Sequence, residues 1–444
     1  MTNKGITIEG IVAPGFESVK TLFEKEMRTK AEDSAQLCVY HKGEKVVDLW
    51  ASKHDGFSPD SLINIFSSGK TLEALALASL VDKGLLNYDE KISHYWPEFA
   101  ANGKADITVA DLMRHEAGLV DFQHTFDPEH LLTENLKQNT AGKVIEALRA
   151  KISSNPSKRR NYHALTRGWV ANELYRRVEP NGQTLGEFVR ENLAQPLNAD
   201  VYVGLKNEEL ERRTMLYSKS ILFQFLESFK PKFLGRKVAY SIGHLFALFA
   251  PIVMRVISLL IKKRAQKKAN KTNSPSTRPR MPLKGFNPMR DKESSINFFN
   301  NPTIAQGESS SFNANCSARG LAKVAAMMSL GGKFEGKQYF SDSAWKALHD
   351  KKVTAKLGGN VTTHFTQGGL NLFTMTRSDN NAPDRALNQG REGFYGWMGL
   401  GGSIFQWHPE KQLGFAFVPN SLHVIDVFNE RGKVYQTEVL RCVE

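Results

Sequence analysis

Ser67 stands in the run Ile65-Phe66-Ser67-Ser68-Gly69-Lys70-Thr71, with a lysine three positions after it. An apolar stretch, 62–66, leads up to this serine, and a longer amphipathic stretch, 72–86, leads away. That order predicts a serine at the mouth of a helix, with Lys70 one turn in and on the same face. A helix start offers unpaired N–H groups and a positive dipole end, both of which favour negative charge on an oxygen there. A lysine amine held out of water loses its proton more readily and can then take the proton of a neighbouring hydroxyl. Ser67 and Lys70 are therefore a candidate nucleophile and activator contained in four residues. Two other readings compete. One is a helix-capping serine followed by a solvated lysine. The other is a phosphate-binding loop ending in Gly69-Lys70-Thr71, which needs a glycine at the position of Asn64.

The surrounding pattern shows what must hold this pair. Phe16, Val19, Phe23 and Met27 recur at helical spacing and predict a helix over 15–30. Residues 36–40 and 45–51 are β-rich runs about a polar turn and predict a hairpin. Helical patterning continues through 108–114, 129–149 and 165–177, with the basic tripeptide Lys158-Arg159-Arg160 and Tyr162 between the last two. The tripeptide reads as a solvated loop, and His115 as a histidine packed in a loop. Helices follow at 321–330 and 342–349. Strands are expected at 401–407 and 413–419, and a closing helix at 424–440, with Glu430-Arg431-Gly432 as a possible break. The fold expected is α/β: an antiparallel sheet built from both chain ends, flanked by helices, with a mostly helical region inserted. Its parts are 1–66, 67–206, an apolar and basic insert at 207–308, and a return to the sheet at 309–444.

The chain has 444 residues and a formal net charge of +13, much of it concentrated in the insert. Val238 opens an apolar run to 261, interrupted by His244, Pro251 and Arg255, and a basic cluster ending at Lys268 follows. This combination suggests contact with an anionic membrane surface; an insert packed on the body with a solvated basic tail is the other reading. Residues 271–288 read as a linker rich in Pro, Ser, Lys and Arg. The three cysteines, Cys38, Cys316 and Cys442, are widely spaced, which argues against a disulfide framework or zinc cluster and fits a reducing, cytoplasmic setting. No secretory leader is visible at 1–14. No nucleic-acid partner is expected, and the oligomeric state is left open.

Taken jointly, several runs resemble the serine β-lactamase-like family, more narrowly its class C β-lactamase and carboxylesterase branch. They are Ser67-Ser68-Gly69-Lys70, Leu112-Met113-Arg114-His115-Glu116-Ala117-Gly118-Leu119, Tyr162-His163-Ala164, Cys316-Ser317-Ala318-Arg319-Gly320 and Trp397-Met398-Gly399. Animal β-lactamase domain-containing proteins belong to this branch, and the similarity to nematode members is strongest around 396–403. The resemblance implies acyl transfer without metal or cofactor on a small ester, amide or peptide. Ser67 would attack, Lys70 would help remove its proton, and Tyr162 would share the base role and later pass a proton to the leaving group, working as a base only if a cation such as Lys70 depresses its pKa. The backbone N–H groups of Ser67 and Leu400 would face the oxyanion, and Trp397, Gly399, Leu400 and His163 would line the substrate site. Two departures stand out: Ala164 where the family has asparagine, and Trp397 where it has lysine or histidine. Without that cation a substrate carboxylate has no anchor, so the resemblance implies an esterase more than a β-lactamase. A catalytically idle, membrane-associated scaffold or assembling subunit of the same fold is the alternative.

Overall fold

A computed structural model of the chain describes residues 5–120, 127–155, 158–243, 245, 295–376 and 381–444. Strand β1 (Thr7–Val12), helix α1 (Glu17–Thr29) and the hairpin of β2 (Ser34–His41) and β3 (Glu44–Ser52) come first. The chain then leaves the sheet for a helical region carrying α2 (Lys70–Asp82), α3 (Val109–Met113), α4 (Thr166–Val178) and α5 (Ile221–Phe229). It returns through α6 (Ala318–Ser329) to β4 (Val353–Leu357), β5 (Val361–Phe365), β6 (Asn371–Leu372) and β7 (Tyr395–Met398). Strands β8 (Ile404–His408) and β9 (Leu413–Pro419) and helix α7 (Glu430–Cys442) complete it.

The main sheet has nine strands in the order β1-β3-β2-β9-β8-β7-β6-β5-β4. Every neighbouring pair is antiparallel, and the two chain ends meet where β9 pairs with β2, from Leu413 opposite His41 to Pro419 opposite Ala35. Alternate side chains of these central strands go to opposite faces. Leu37, Val39, Phe415 and Phe417 join Val19, Phe23 and Met27 of α1 and Tyr435 and Val439 of α7. Cys38, Tyr40, Ala416 and Val418 join the larger core with α2 and α6. At Gly414 an added Cβ would lie 2.4 Å from the Ala326 nitrogen, so β9 rests directly on the α6 backbone.

Three expectations need correction. Helix α2 is not amphipathic: every residue from Lys70 through Leu80 is buried. Its alanines at 74, 76 and 78 let neighbouring elements close on faces that a one-sided helix leaves to water. The closing helix begins at Glu430 instead of 424, because Asp426 accepts the Glu430 N–H at 2.8 Å and the Arg431 N–H at 3.3 Å, satisfying its N-terminus. The basic tripeptide is not wholly solvated. Arg160 is buried, with a Glu116 carboxylate 2.6 Å from its guanidinium and the carbonyls of Val353 and Thr363 as further acceptors.

The apolar run begun at Val238 packs on the body where it is described: Val238, Tyr240 and Leu245 are buried in a small cluster with Ile242 and Ile425. The rest of that run, the basic cluster through Lys268 and the linker at 271–288 lie outside the described residues. Among the described residues no helix is long and apolar enough to cross a membrane.

Candidate active site

Ser67 is held by a short three-stranded sheet and an unusual turn. Ile63 and Asn64 pair with Cys316 and Asn315, which pair in turn with Val201 and Tyr202. Phe66 then adopts a left-handed φ of +48°. Such a conformation costs on the order of 1 kcal/mol or more for a non-glycine residue. Asn64 offsets it by accepting the Phe66 N–H at 2.8 Å, and Phe299 packs edge-on against the Phe66 ring with centroids 4.9 Å apart. Asn64 is thus committed to the turn, which disposes of the phosphate-loop reading. Ser67 lies in the 3-10 turn Phe66–Gly69, just ahead of α2, half-buried while its neighbours are buried. Gly69 is needed for a close approach: an added Cβ would lie 2.0 Å from the Ser310 carbonyl oxygen.

Lys70 opens α2 and is 1% exposed. Its Nζ lies 3.3 Å from Ser67 Oγ, 2.6 Å from the Ala164 carbonyl oxygen and 3.2 Å from the Ser311 carbonyl oxygen. Burial brings its pKa down to about 7, with Arg167 lowering it further and Glu73 opposing. A neutral amine has two N–H groups and one lone pair. Nζ faces three acceptors, Ser67 Oγ and the two carbonyls, and Ser67 Oγ in turn donates to the Ser311 carbonyl at 3.3 Å. With a pKa near 7, a large share of Lys70 is neutral at neutral pH, and that form has the lone pair able to act as a base.

Tyr162 meets the same centre from the loop ahead of α4. Its hydroxyl is hydrogen-bonded with Ser67 and accepts the Trp397 indole N–H at 2.9 Å. Burial pushes its pKa up to about 12, against the lowering effect of those two hydrogen bonds. The expectation that Lys70 would depress Tyr162 into a base is therefore corrected. The Lys70 ammonium lies 4.9 Å from the centre of the Tyr162 ring, but its own depressed pKa means it carries no full charge at neutral pH. Lys70, with a pKa near 7, is the group more easily neutral, and Tyr162 stays a protonated hydroxyl at neutral pH.

Behind this centre lies a buried ion pair that the sequence reading did not find. Glu73 and Arg167 meet at 2.8 Å, and neither side chain is more than 1% exposed. The second Glu73 oxygen accepts the hydroxyls of Ser310 at 2.9 Å and Ser311 at 2.6 Å. Arg167 donates to the Lys70 carbonyl at 2.8 Å and to the Met113 carbonyl at 2.9 Å. The pair therefore ties α2, α4, the end of α3 and the 309–311 segment together around Lys70. The available signal was Glu73 itself, the one acid in the otherwise apolar first turns of α2.

His163 is not placed to touch a substrate. It is fully buried; its Nδ1–H donates to the Asn161 carbonyl at 2.7 Å and its Nε2 accepts the Leu119 N–H at 3.0 Å. Both ring nitrogens are spent on the backbone, and burial lowers its pKa to about 4, so the ring is neutral. His115 is the packed histidine expected, with more to do. It sits 4.8 Å from the Tyr162 ring and accepts the His163 N–H at 3.0 Å, which fixes the loop bearing Tyr162.

Trp397 is buried against Phe365 and Phe373, and its single donor goes to Tyr162. It positions Tyr162 and has no free polar atom for a substrate. Gly399 is likewise structural: its N–H is bonded to the Ser403 carbonyl at 2.8 Å, and an added Cβ would lie 2.2 Å from the Ile65 carbonyl oxygen. Leu400, at 45% exposed, is open, and its N–H has no hydrogen-bond partner among the described residues. Ser403 clamps this turn onto the nucleophile turn, its Oγ donating to the Ile65 carbonyl at 2.6 Å and lying 3.0 Å from Ser68 Oγ. Asn429 holds it from the other side through the Gly399 and Ser403 carbonyls. Among the described residues no group of three or more His, Cys, Asp or Glu side chains could hold a metal.

Residues 19–229 match the family model described as Beta-lactamase. A family VIII carboxylesterase structure is 22% identical and superimposes with a TM-score of 0.70 over 98% of this chain and 100% of its own. The fold is β-lactamase/transpeptidase-like. EstA from Arthrobacter nitroguajacolicus Rue61a is similar too, at 23% identity and a TM-score of 0.68 over 98% of both chains. The chain is also 34% identical over 201 residues to the esterase/β-lactamase LipL of Mycobacterium tuberculosis, covering 44% of each. It thus aligns with less than half the length of that curated relative.

Replacing Trp397 by Phe keeps the aromatic packing and removes one hydrogen bond to Tyr162. Net, such a bond is worth about 1 kcal/mol. If the site turns over esters, Trp397→Phe is expected to lower that turnover about fivefold to tenfold with KM little changed. Steady-state kinetics on a p-nitrophenyl ester, alongside a thermal melt, checks this.

Proposed function

We propose that this chain is a serine hydrolase that forms an acyl-enzyme on an ester, amide or peptide, and that it acts on esters in preference to β-lactams. The observation that carries the reading is the buried Lys70 amine, with a pKa near 7 and its Nζ 3.3 Å from Ser67 Oγ.

In this mechanism Ser67 Oγ attacks the substrate carbonyl carbon as its proton passes to Lys70 Nζ. The carbonyl oxygen gains the negative charge and faces the Ser67 and Leu400 N–H groups. When the tetrahedral species collapses, the bond to the leaving alkoxide or amine breaks. Tyr162 supplies the proton that the leaving group needs and regains one from Lys70. Water then attacks the acyl carbon as its proton passes to Lys70 Nζ; when the bond from that carbon to Ser67 Oγ breaks, Oγ takes the proton back and the acid leaves. Trp397 and His115 act only through Tyr162, as positioning residues.

The preference for esters follows from Trp397. Where related enzymes place a cation for a substrate carboxylate, this chain has a buried indole whose donor is already used. The similar proteins include esterases, one of them named for β-lactamase activity as well. A fluorophosphonate probe should label the wild-type protein at Ser67, with no labelling of Ser67→Ala. Folded wild-type protein that stays unlabelled would overturn the reading and leave an idle domain of the same fold.

A further inference from the structure

Seven of the fifteen large apolar side chains that stand exposed among the described residues fall between 221 and 234. Leu222, Phe225, Leu226 and Phe229 lie on α5, with Ile221 at its start, and Phe233 and Leu234 follow in the next turn. Leu222 is 67% exposed and Phe233 85%. A contiguous apolar surface of this kind on a water-facing helix usually marks a contact site. The helix itself is firmly seated. Gln224 Oε1 accepts the Tyr240 hydroxyl at 3.0 Å and the Ile425 N–H at 3.2 Å, and Gln224 and Ser228 are buried. The polar residues of α5 therefore face the protein and the apolar ones face out, the reverse of an ordinary surface helix.

Charge identifies the partner. Lys230, Lys232 and Lys237 are exposed beside Phe229, Phe233 and Leu234. Lys30, just past the end of α1, lies close enough to Lys232 for its charge to be felt: the Lys30 pKa is lowered by burial first, and then, against Glu26, by Arg236, Lys232 and Lys25. The nearby acids are occupied. Glu227 pairs with Lys230 and accepts the Lys237 N–H, and Glu26 faces Lys30, Lys25 and Lys232 together. What remains is an apolar face with a cationic border.

We propose that the Ile221–Leu234 surface docks on an anionic lipid bilayer, its leucines and phenylalanines entering the interface and its lysines meeting the headgroups. A second copy of the chain is a poorer occupant, since a two-fold contact would set the same lysines against each other. The surface differs from the 238–268 stretch suspected from sequence: of that stretch, Val238, Tyr240 and Leu245 are turned into the body.

Flotation of the full chain with phosphatidylcholine vesicles, with and without phosphatidylserine, tests this. Wild-type protein is expected to float with the anionic vesicles, with at least tenfold less bound to neutral ones or at high salt. Leu222→Asp/Phe233→Asp should cut binding to anionic vesicles at least tenfold, with melting and fluorophosphonate labelling unchanged. Wild-type protein that does not float would overturn the proposal. So would a double variant that binds as well as wild type, which would assign any binding to 246–268. A wild-type dimer dispersed by the double variant, with no flotation, would assign the surface to a second copy and overturn it too.

Discussion

Lys70→Met is expected to fold and to acylate Ser67 about 10²- to 10⁴-fold more slowly than wild type, the usual contribution of a positioned base. The substitution fills similar space and removes the amine, with its hydrogen bonds to Ser67 Oγ and to the Ala164 and Ser311 carbonyls. Tyr162 cannot take over, because burial pushes its pKa up to about 12 and it stays protonated at neutral pH. Tyr162→Phe should therefore impair leaving-group departure more than the opening attack. Single-turnover kinetics with an ester that has a good leaving group separates the two: the Lys70 variant should lose the burst rate, whereas the Tyr162 variant should retain more of it.

The Glu73–Arg167 pair carries the second large effect. Both groups are buried, so removing either leaves an uncompensated charge in the core, at a cost of about 3–5 kcal/mol. That is a large share of the total stability of an ordinary domain, about 5–15 kcal/mol. Urea denaturation of Arg167→Met and Glu73→Gln should show midpoints well below wild type. The two variants should also move Lys70 in opposite directions. Glu73 raises the Lys70 pKa and Arg167 lowers it. Loss of Arg167 leaves Glu73 unopposed, so the pH at which activity rises should move up; loss of Glu73 should move it down. A purely structural pair would lower stability without that opposed shift.

Much of the scaffold was legible because it is written in short-range periodicity. The α1 stripe, the β2–β3 hairpin and the β8–β9 hairpin each follow from residues within one turn or two strands of each other. Ser67 and Lys70 were legible for the same reason, being three residues apart on one chain segment. Roles set by distant contacts were not. Nothing local says that Glu73 will meet Arg167, or that Ser311 will offer its carbonyl to an amine 241 positions away. His163 sits beside Tyr162 in sequence and yet is turned into the core, where the Leu119 N–H holds it. Trp397 was placed at the site by pattern, but only the structure links its indole to the Tyr162 hydroxyl. The direction of the Tyr162 shift was misjudged because burial, which sequence does not reveal, outweighs the neighbouring hydrogen bonds.

The most direct test of Ser67 activation by Lys70 is the rate of fluorophosphonate labelling at Ser67 as a function of pH across neutrality. Lys70 must be neutral to accept the proton, and its pKa is brought down to about 7. The rate should climb with pH, pass its midpoint near neutrality and level off above it, and this step should vanish in Lys70→Met. A wild-type rate that is flat across neutrality, or that keeps climbing towards the ordinary pKa of lysine or tyrosine, near ~10, would contradict it.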